Sequence, residues 1–191
     1  MNKCYLDTNI FIEYLLRQLK NKNNNTDCCK IINKGINGDF NIYLSDYTLI
    51  EIAEHFTDYY LTLKCLEDGY GHREYRNHRK DYSLDDNETE IITSMIEALR
   101  TNTHISYIET EEIKGDYYKV IMSYVKEYID FIDALHLRTA IDVNCDYFVT
   151  RDGELRKRAQ NLISSKIIEY PIRICTPSSF LKEIKKSEDL S

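Results

Sequence analysis

The sequence predicts an α/β protein: a three-layer α/β/α sandwich around a central parallel sheet, Rossmann-like in layout, with a mainly helical insertion between the second and third strands. Three observations carry this expectation. Short β-type runs alternate with helical patterns along the whole chain, as in a parallel sheet covered on both faces by crossover helices. Two of those runs are followed by an acid at the same short offset, Asp7 after residues 4–6 and Asp152 after residues 147–149, and open α/β sheets gather ligands outside the carboxyl ends of their strands. The length, 191 residues, suits one domain over 1–191 that buries about 70% of its unfolded surface.

The elements follow in order. Cys4-Tyr5-Leu6 reads as a strand, Asp7-Thr8-Asn9 as a turn, and Ile12, Leu15, Leu16 and Leu19 as one face of a helix. Taken alone, Asp7 or Asn9 is equally well a helix cap. After a polar loop over 21–25, Thr26 caps a short helix over 27–34 that stops at Gly35 and Gly38. Residues 40–44 make the second strand. Ser45-Asp46 then supplies the cap and first-turn acid of a helix through Leu49, Ile52 and Phe56, with Glu51 at the edge of its buried stripe.

The insertion covers about 57–103. It holds a helical continuation (Tyr59, Leu63, Leu66), a break at Gly69 and Gly71, a basic run over 72–80, and an amphipathic helix entered at Asp85 or Asp86 with Ile92, Met95, Ile96 and Leu99 turned to the core. Beyond it the pattern gives a strand over 104–108, helices over 110–128 and 131–143, a strand over 147–149, a helix over 154–162 and a strand over 172–175. Pro177 opens a last helix over 178–185.

Composition narrows the function classes. A net charge of −7 argues against a protein that coats nucleic acid by bulk positive charge, though it leaves room for a local basic track. The six cysteines form no C-x-x-C pair and have no histidine at zinc-finger spacing, so buried, reduced thiols are expected rather than a thiolate metal site. No apolar run approaches the roughly 20 residues of a membrane helix, and the N-terminus carries no export signal pattern. The expectation is a cytoplasmic protein with no membrane contact.

The chemistry is expected of four acids. Asp133 heads the apolar row Leu137, Ala140 and Ile141 on one helix face, and a buried carboxylate needs a partner. Arg138 or a lysine would serve as that partner; so would a cation. If the strands ending near Asp7 and Asp152 are neighbours, both acids face one crevice, and helices bearing Glu51 and Asp133 can flank it. Four carboxylates so close raise one another's pKa unless a cation joins them. All-oxygen ligands suit Mg²⁺ or Mn²⁺ better than zinc. Asp130, Asp146 and Glu154 are read as surface acids, and His136 as a packed helix residue.

In these residues the chain resembles the PIN-domain nucleases, a family that includes VapC-like toxins. The likeness lies in Asp7-Thr8-Asn9, the helix from Ser45 to Glu51, Asp133-Ala134-Leu135 through Ala140, and Thr150-Arg151-Asp152. It implies a PIN-like fold and metal-dependent phosphodiester hydrolysis with one or two Mg²⁺ or Mn²⁺ ions. It also implies that Asp7, Glu51, Asp133 and Asp152 are both metal ligands and catalytic residues, with Asn9 and Thr150 supporting them. An RNA substrate, an endoribonuclease activity, the role of toxin in a toxin–antitoxin pair, an antitoxin protein as partner and a homodimer follow from the same resemblance. The alternative is a non-catalytic PIN-like module that binds RNA or protein and uses the acids for a structural cation. The chain departs from shorter members in its insertion, whose Arg73, Tyr75, Arg76, Arg79 and Lys80 could track a phosphate backbone and stack a base, or form a solvated loop.

Overall fold

A computed structural model describes residues 1–109 and 117–188, without the side chains of His72, Arg73, Arg76, Ser187 and Glu188. The chain runs β1 (Lys3–Leu6), α1 (Thr8–Leu19), α2 (Asp27–Ile36), β2 (Asn41–Ser45), α3 (Asp46–Glu67), α4 (His72–His78), α5 (Asp86–Arg100), β3 (Ile105–Ile108), α6 (Tyr117–Lys126), α7 (Phe131–Asp142), β4 (Tyr147–Val149), α8 (Gly153–Ser164), β5 (Arg173–Cys175) and α9 (Pro177–Glu188). The five strands form one parallel sheet in the order β3-β2-β1-β4-β5. The chain moves one way from β1 through β2 to β3 and then returns to the other side of β1 with β4. The carboxyl ends of β1 and β4 therefore bound the switch point at which such sheets hold ligands.

Alternation along the strands builds the three layers. Cys4, Leu6, Ile42, Leu44, Tyr147 and Val149 point to one face, where they pack with residues of α1, α2, α3, α5 and α9. Tyr5, Tyr43 and Phe148 point to the other, against α6, α7 and α8. α2 approaches β2 so closely at Gly35 that a Cβ there would overlap the Ile42 side chain, which would have to move to admit a larger residue.

Two expectations change in the structure. α3 runs unbroken for 22 residues, so the helical continuation belongs to the helix that carries Glu51, and the separate part of the insertion begins after Glu67. α5 returns Ile92 and Leu99 to the main core. The strand offsets also differ. β1 and β4 pair with Leu6 opposite Val149, so the residue in register with Asp7 is Thr150, and Asp152 lies two residues further along. The extra residues belong to the turn into α8, which Asp152 caps. Of the helix expected over 110–128, residues 110–116 lie outside the described residues; the remainder is α6, and it ends before Tyr128, which has a left-handed φ of 64°.

Candidate active site

Asp7, Glu51, Asp133 and Asp152 all line one pocket of about 310 Å³, together with Thr8, Asn9, Ile12, Glu54, His55 and Asp58. Each acid comes from a different element. Asp7 stands between β1 and α1, Glu51 in the second turn of α3, Asp133 in the first turn of α7, and Asp152 at the start of α8.

Asp7 is 5% exposed. It occupies the N-cap position of α1, yet its side chain makes no capping bond. Instead Asn9 Nδ2 and Thr150 Oγ1 each donate to Asp7 Oδ2 at 2.5 Å, Asn9 Nδ2 also lies 3.1 Å from Thr150 Oγ1, and Thr150 Oγ1 accepts from the Asp152 amide at 2.9 Å. Burial pushes the Asp7 carboxyl above its ordinary value and the charge of Glu51 adds to the rise, against the Thr150 hydrogen bond and His136. Asp152 takes the role once open to Asp7: its Oδ1 accepts from the amides of Glu154 and Leu155.

Glu51 is bound from behind. His136 is fully buried. Its Nε2 lies 2.7 Å from Glu51 Oε2 and its Nδ1 2.7 Å from the Tyr5 hydroxyl, which in turn lies 2.7 Å from Ser45 Oγ. Thr8 Oγ1 donates to the same Glu51 oxygen. With the proton on Nε2 directed at Glu51, Nδ1 accepts from Tyr5, and every member of the chain is satisfied. Burial raises the Glu51 carboxyl, but its contact with His136, together with Thr8, outweighs it and leaves the group below its ordinary value.

Asp133 meets the opposite surroundings. Arg138, the partner open to it from the sequence, is taken by Asp142 one turn on, at 2.5 and 2.8 Å. Among the described residues no ion pair and no hydrogen bond is made to the Asp133 carboxylate. Its pKa is pushed up to about 7, first by burial and then by the charges of Asp7, Asp130 and Asp152, with His136 opposing the rise only in part. Of the acids read as surface residues, Asp130 caps α7, Asp146 accepts from the Lys3 amide, and Glu154 pairs loosely with Arg158.

Several pocket residues lay outside the sequence expectation. Glu51, Glu54, His55 and Asp58 fall at i, i+3, i+4 and i+7 on α3, an acidic stripe that helical spacing could have revealed. Likewise Asp133 and His136 are i, i+3 neighbours on α7. Burial lowers the His55 pKa, against the charge of Asp58. Of the basic run, Arg79 is bound to Glu54 at 2.7 Å and Asp58 at 2.9 Å, Tyr75 lies against Asp58, and Lys80 is exposed. The side chains of Arg73 and Arg76 lie outside the described residues.

Among the described residues no group of three or more His, Cys, Asp or Glu side chains is arranged to hold a metal ion as it stands. One oxygen each of Asp7, Glu51 and Asp152 is turned to a donor. The chemistry of the set nonetheless fits a hard divalent cation: four carboxylates, no soft ligand, and one acid, Asp133, that has no ion pair or hydrogen bond among the described residues.

Among the described residues no helix is long and apolar enough to cross a membrane, and Cys4, Cys28, Cys29, Cys65 and Cys145 are buried free thiols. A search of curated proteins finds no match to the chain. The family model for the PIN domain matches residues 4–161, a span that runs from β1 into α8 and includes all four acids. The parallel five-stranded sheet, its helices on both faces and that match make the chain a member of the PIN-domain family, whose members are generally metal-dependent nucleases.

Proposed function

We propose that this protein is an endoribonuclease that hydrolyses phosphodiester bonds in RNA with Mg²⁺ or Mn²⁺. The observation that supports it most strongly is Asp133: a carboxylate facing three other acids in an open pocket, with its one nearby arginine engaged elsewhere. Such a group is stabilised by a divalent cation and by little else in its surroundings.

Asp7, Asp133 and Asp152 would hold the ion, with Glu51 at the other wall for a second ion or for the attacking water. When bound, the ion supplies Lewis acidity toward water and phosphate oxygens. The chain's own residues do the rest. Asn9 and Thr150 fix the rotation of the Asp7 carboxylate by holding one oxygen. His136, backed by Tyr5 and Ser45, fixes Glu51 and keeps it ionised, so that it can accept a proton from water during attack. The pocket is open to solvent and wide enough for a phosphodiester, while its acid lining repels one until a cation is present.

The test is cleavage of structured RNA, single-stranded RNA and single-stranded DNA by wild type, Asp7→Asn and Asp133→Asn, each in Mn²⁺, Mg²⁺ or EDTA. Metal-dependent cutting of RNA by wild type, lost in both variants and in EDTA, is the expected result. Equal behaviour of wild type and variants, or no metal-dependent product on any substrate, would overturn the proposal. Cutting confined to DNA would keep the chemistry and overturn the ribonuclease assignment.

A further inference from the structure

The acid pocket does not end at Asn9. At Asn9, Ile12 and His55 it meets a second cavity of about 490 Å³ that is lined also by Arg17, Lys20, Lys22 and Arg151. In a chain of net charge −7, this cavity sets four cations against the single carboxylate of Glu13. Adjacent cavities of opposite charge with a shared wall are the feature that the proposed chemistry leaves unexplained.

One helix face builds most of it. Asn9, Ile12, Glu13, Leu16, Arg17 and Lys20 follow one another at helical spacing along α1, so the face leads away from Asp7 for about 16 Å at 1.5 Å per residue. Glu13 gathers the two guanidiniums, with Arg151 at 2.6 Å and Arg17 at 3.3 Å. Arg17 is held further by the Asn23 carbonyl at 2.8 Å. Lys20 lies 4.8 Å from the centre of the Tyr59 ring, and the Lys22 ammonium meets no acid among the described residues. Between the cations, Ile12 and Leu16 give the cavity an apolar floor.

We propose that this groove binds single-stranded RNA on one side of the scissile phosphate, the cations taking successive phosphates while the apolar floor takes unstacked bases. The inference rests on the nuclease reading for its substrate class. A single strand fits better than a duplex because a duplex would present phosphates to the rim and leave the apolar floor uncovered. In the basic run at α4, Arg79 alone is bound by two acids, Glu54 and Asp58, whereas in the groove Arg17 and Arg151 share the one carboxylate of Glu13 and two lysines remain beside them.

Binding separates the two proposals, because it needs no cleavage. A fluorescein-labelled single-stranded RNA 12-mer is titrated in EDTA and followed by anisotropy across a salt series, with wild type, Lys20→Ala/Lys22→Ala, Glu13→Gln, and Lys185→Ala/Lys186→Ala on α9 as the control. Removing two phosphate contacts should reduce the slope of log K against log salt by about 1.4 and weaken binding roughly tenfold or more at 0.1 M salt, in a manner independent of sequence. Glu13→Gln should tighten binding, since it lifts the one negative charge from the groove; the α9 pair should bind as wild type does. No binding by wild type, an unchanged affinity and slope in the Lys20/Lys22 pair, or an equal loss in the α9 pair would each overturn the inference. Metal-dependent cutting with normal affinity in the groove variants would overturn the groove alone, and groove binding without cutting would overturn the nuclease reading alone.

Discussion

Glu51 and Asp133 face the same pocket from opposite helices, and their surroundings differ in kind. Glu51 has His136 and Thr8 on one oxygen, and that contact keeps its carboxyl below the ordinary range. Asp133 makes no hydrogen bond or ion pair among the described residues, the acids near it outweigh the opposing influence of His136, and its carboxyl rises to about 7. Both are partly buried, so burial does not separate them; the neighbours do. One wall of the pocket is fixed and charged before any ligand arrives. The other carries an acid whose ionisation is unfavourable until a positive charge joins it, which is the arrangement expected of a cation site.

The comparison can be broken from the Glu51 side first. His136→Gln removes the ring that joins Glu51 to Tyr5, and loss of such a supporting contact typically costs 10- to 100-fold in activity or metal affinity. The expected outcome is that loss in kcat, with a smaller change in KM, in the cleavage assay. Tyr5→Phe keeps the ring stack on Phe148 at 5.6 Å and removes only the hydroxyl. It leaves His136 Nδ1 and Ser45 without that partner, at a cost of about 1–3 kcal/mol in stability, read by denaturant unfolding. Activity should fall less than in His136→Gln, because Thr8 still holds Glu51.

The Asp133 side gives a pH dependence of defined sign. Its folded-state pKa of about 7 lies above the ordinary 3.8, so the unfolded chain releases this proton first. The penalty is absent below about pH 4, grows as pH rises, and is complete above pH 7. For a carboxyl partly open to water it amounts to about 2 kcal/mol once solvent screening is allowed for, or roughly 4–8 °C of melting temperature at this length. Metal-free wild type should therefore lose stability between pH 4 and 7 relative to Asp133→Asn. Glu51 acts in the other direction and in another window: its stabilising contribution is lost as pH falls below its ordinary 4.5. The smallest effect is expected of Arg79→Ala, which frees Glu54 and Asp58 at the rim of the pocket. Exposed ion pairs contribute little, so melting should barely move, while Mn²⁺ affinity should rise slightly as two acids lose their counter-charge.

Much of this was legible in residue patterns. The strand over 147–149 and the caps at Thr26, Ser45 and Asp85 follow from local chemistry alone, because a strand of apolar residues and a side-chain cap are decided within a few positions. The convergence of Asp7, Glu51, Asp133 and Asp152 followed from alternation plus the position of β1 beside β4. What local pattern could not supply was register and long-range partnership. The pairing of Leu6 with Val149 makes Thr150, rather than Asp152, the neighbour of Asp7. Asp152 is spent partly on capping α8, a role that the same sequence offered to Asp7. His136 looked like core because it is core, fully buried; its second face, toward Glu51, exists only once α3 and α7 meet across β1. The groove beside α1 draws on residues from 9 to 151; the pairing of Arg17 with Glu13 is an i,i+4 contact that helical spacing predicts, but the arrival of Arg151 at the same carboxylate is not.

The most direct test of the asymmetry between Glu51 and Asp133 is thermal melting of wild type and Asp133→Asn at pH 5 and pH 7.5, each with EDTA or Mn²⁺. The prediction is that Asp133→Asn melts above wild type in EDTA at pH 7.5, that the gap narrows at pH 5, and that Mn²⁺ raises wild type at pH 7.5 while leaving the variant nearly unmoved. A wild type indifferent to Mn²⁺, or a variant no more stable than wild type in EDTA at pH 7.5, would contradict the reading of Asp133 as an acid awaiting a cation.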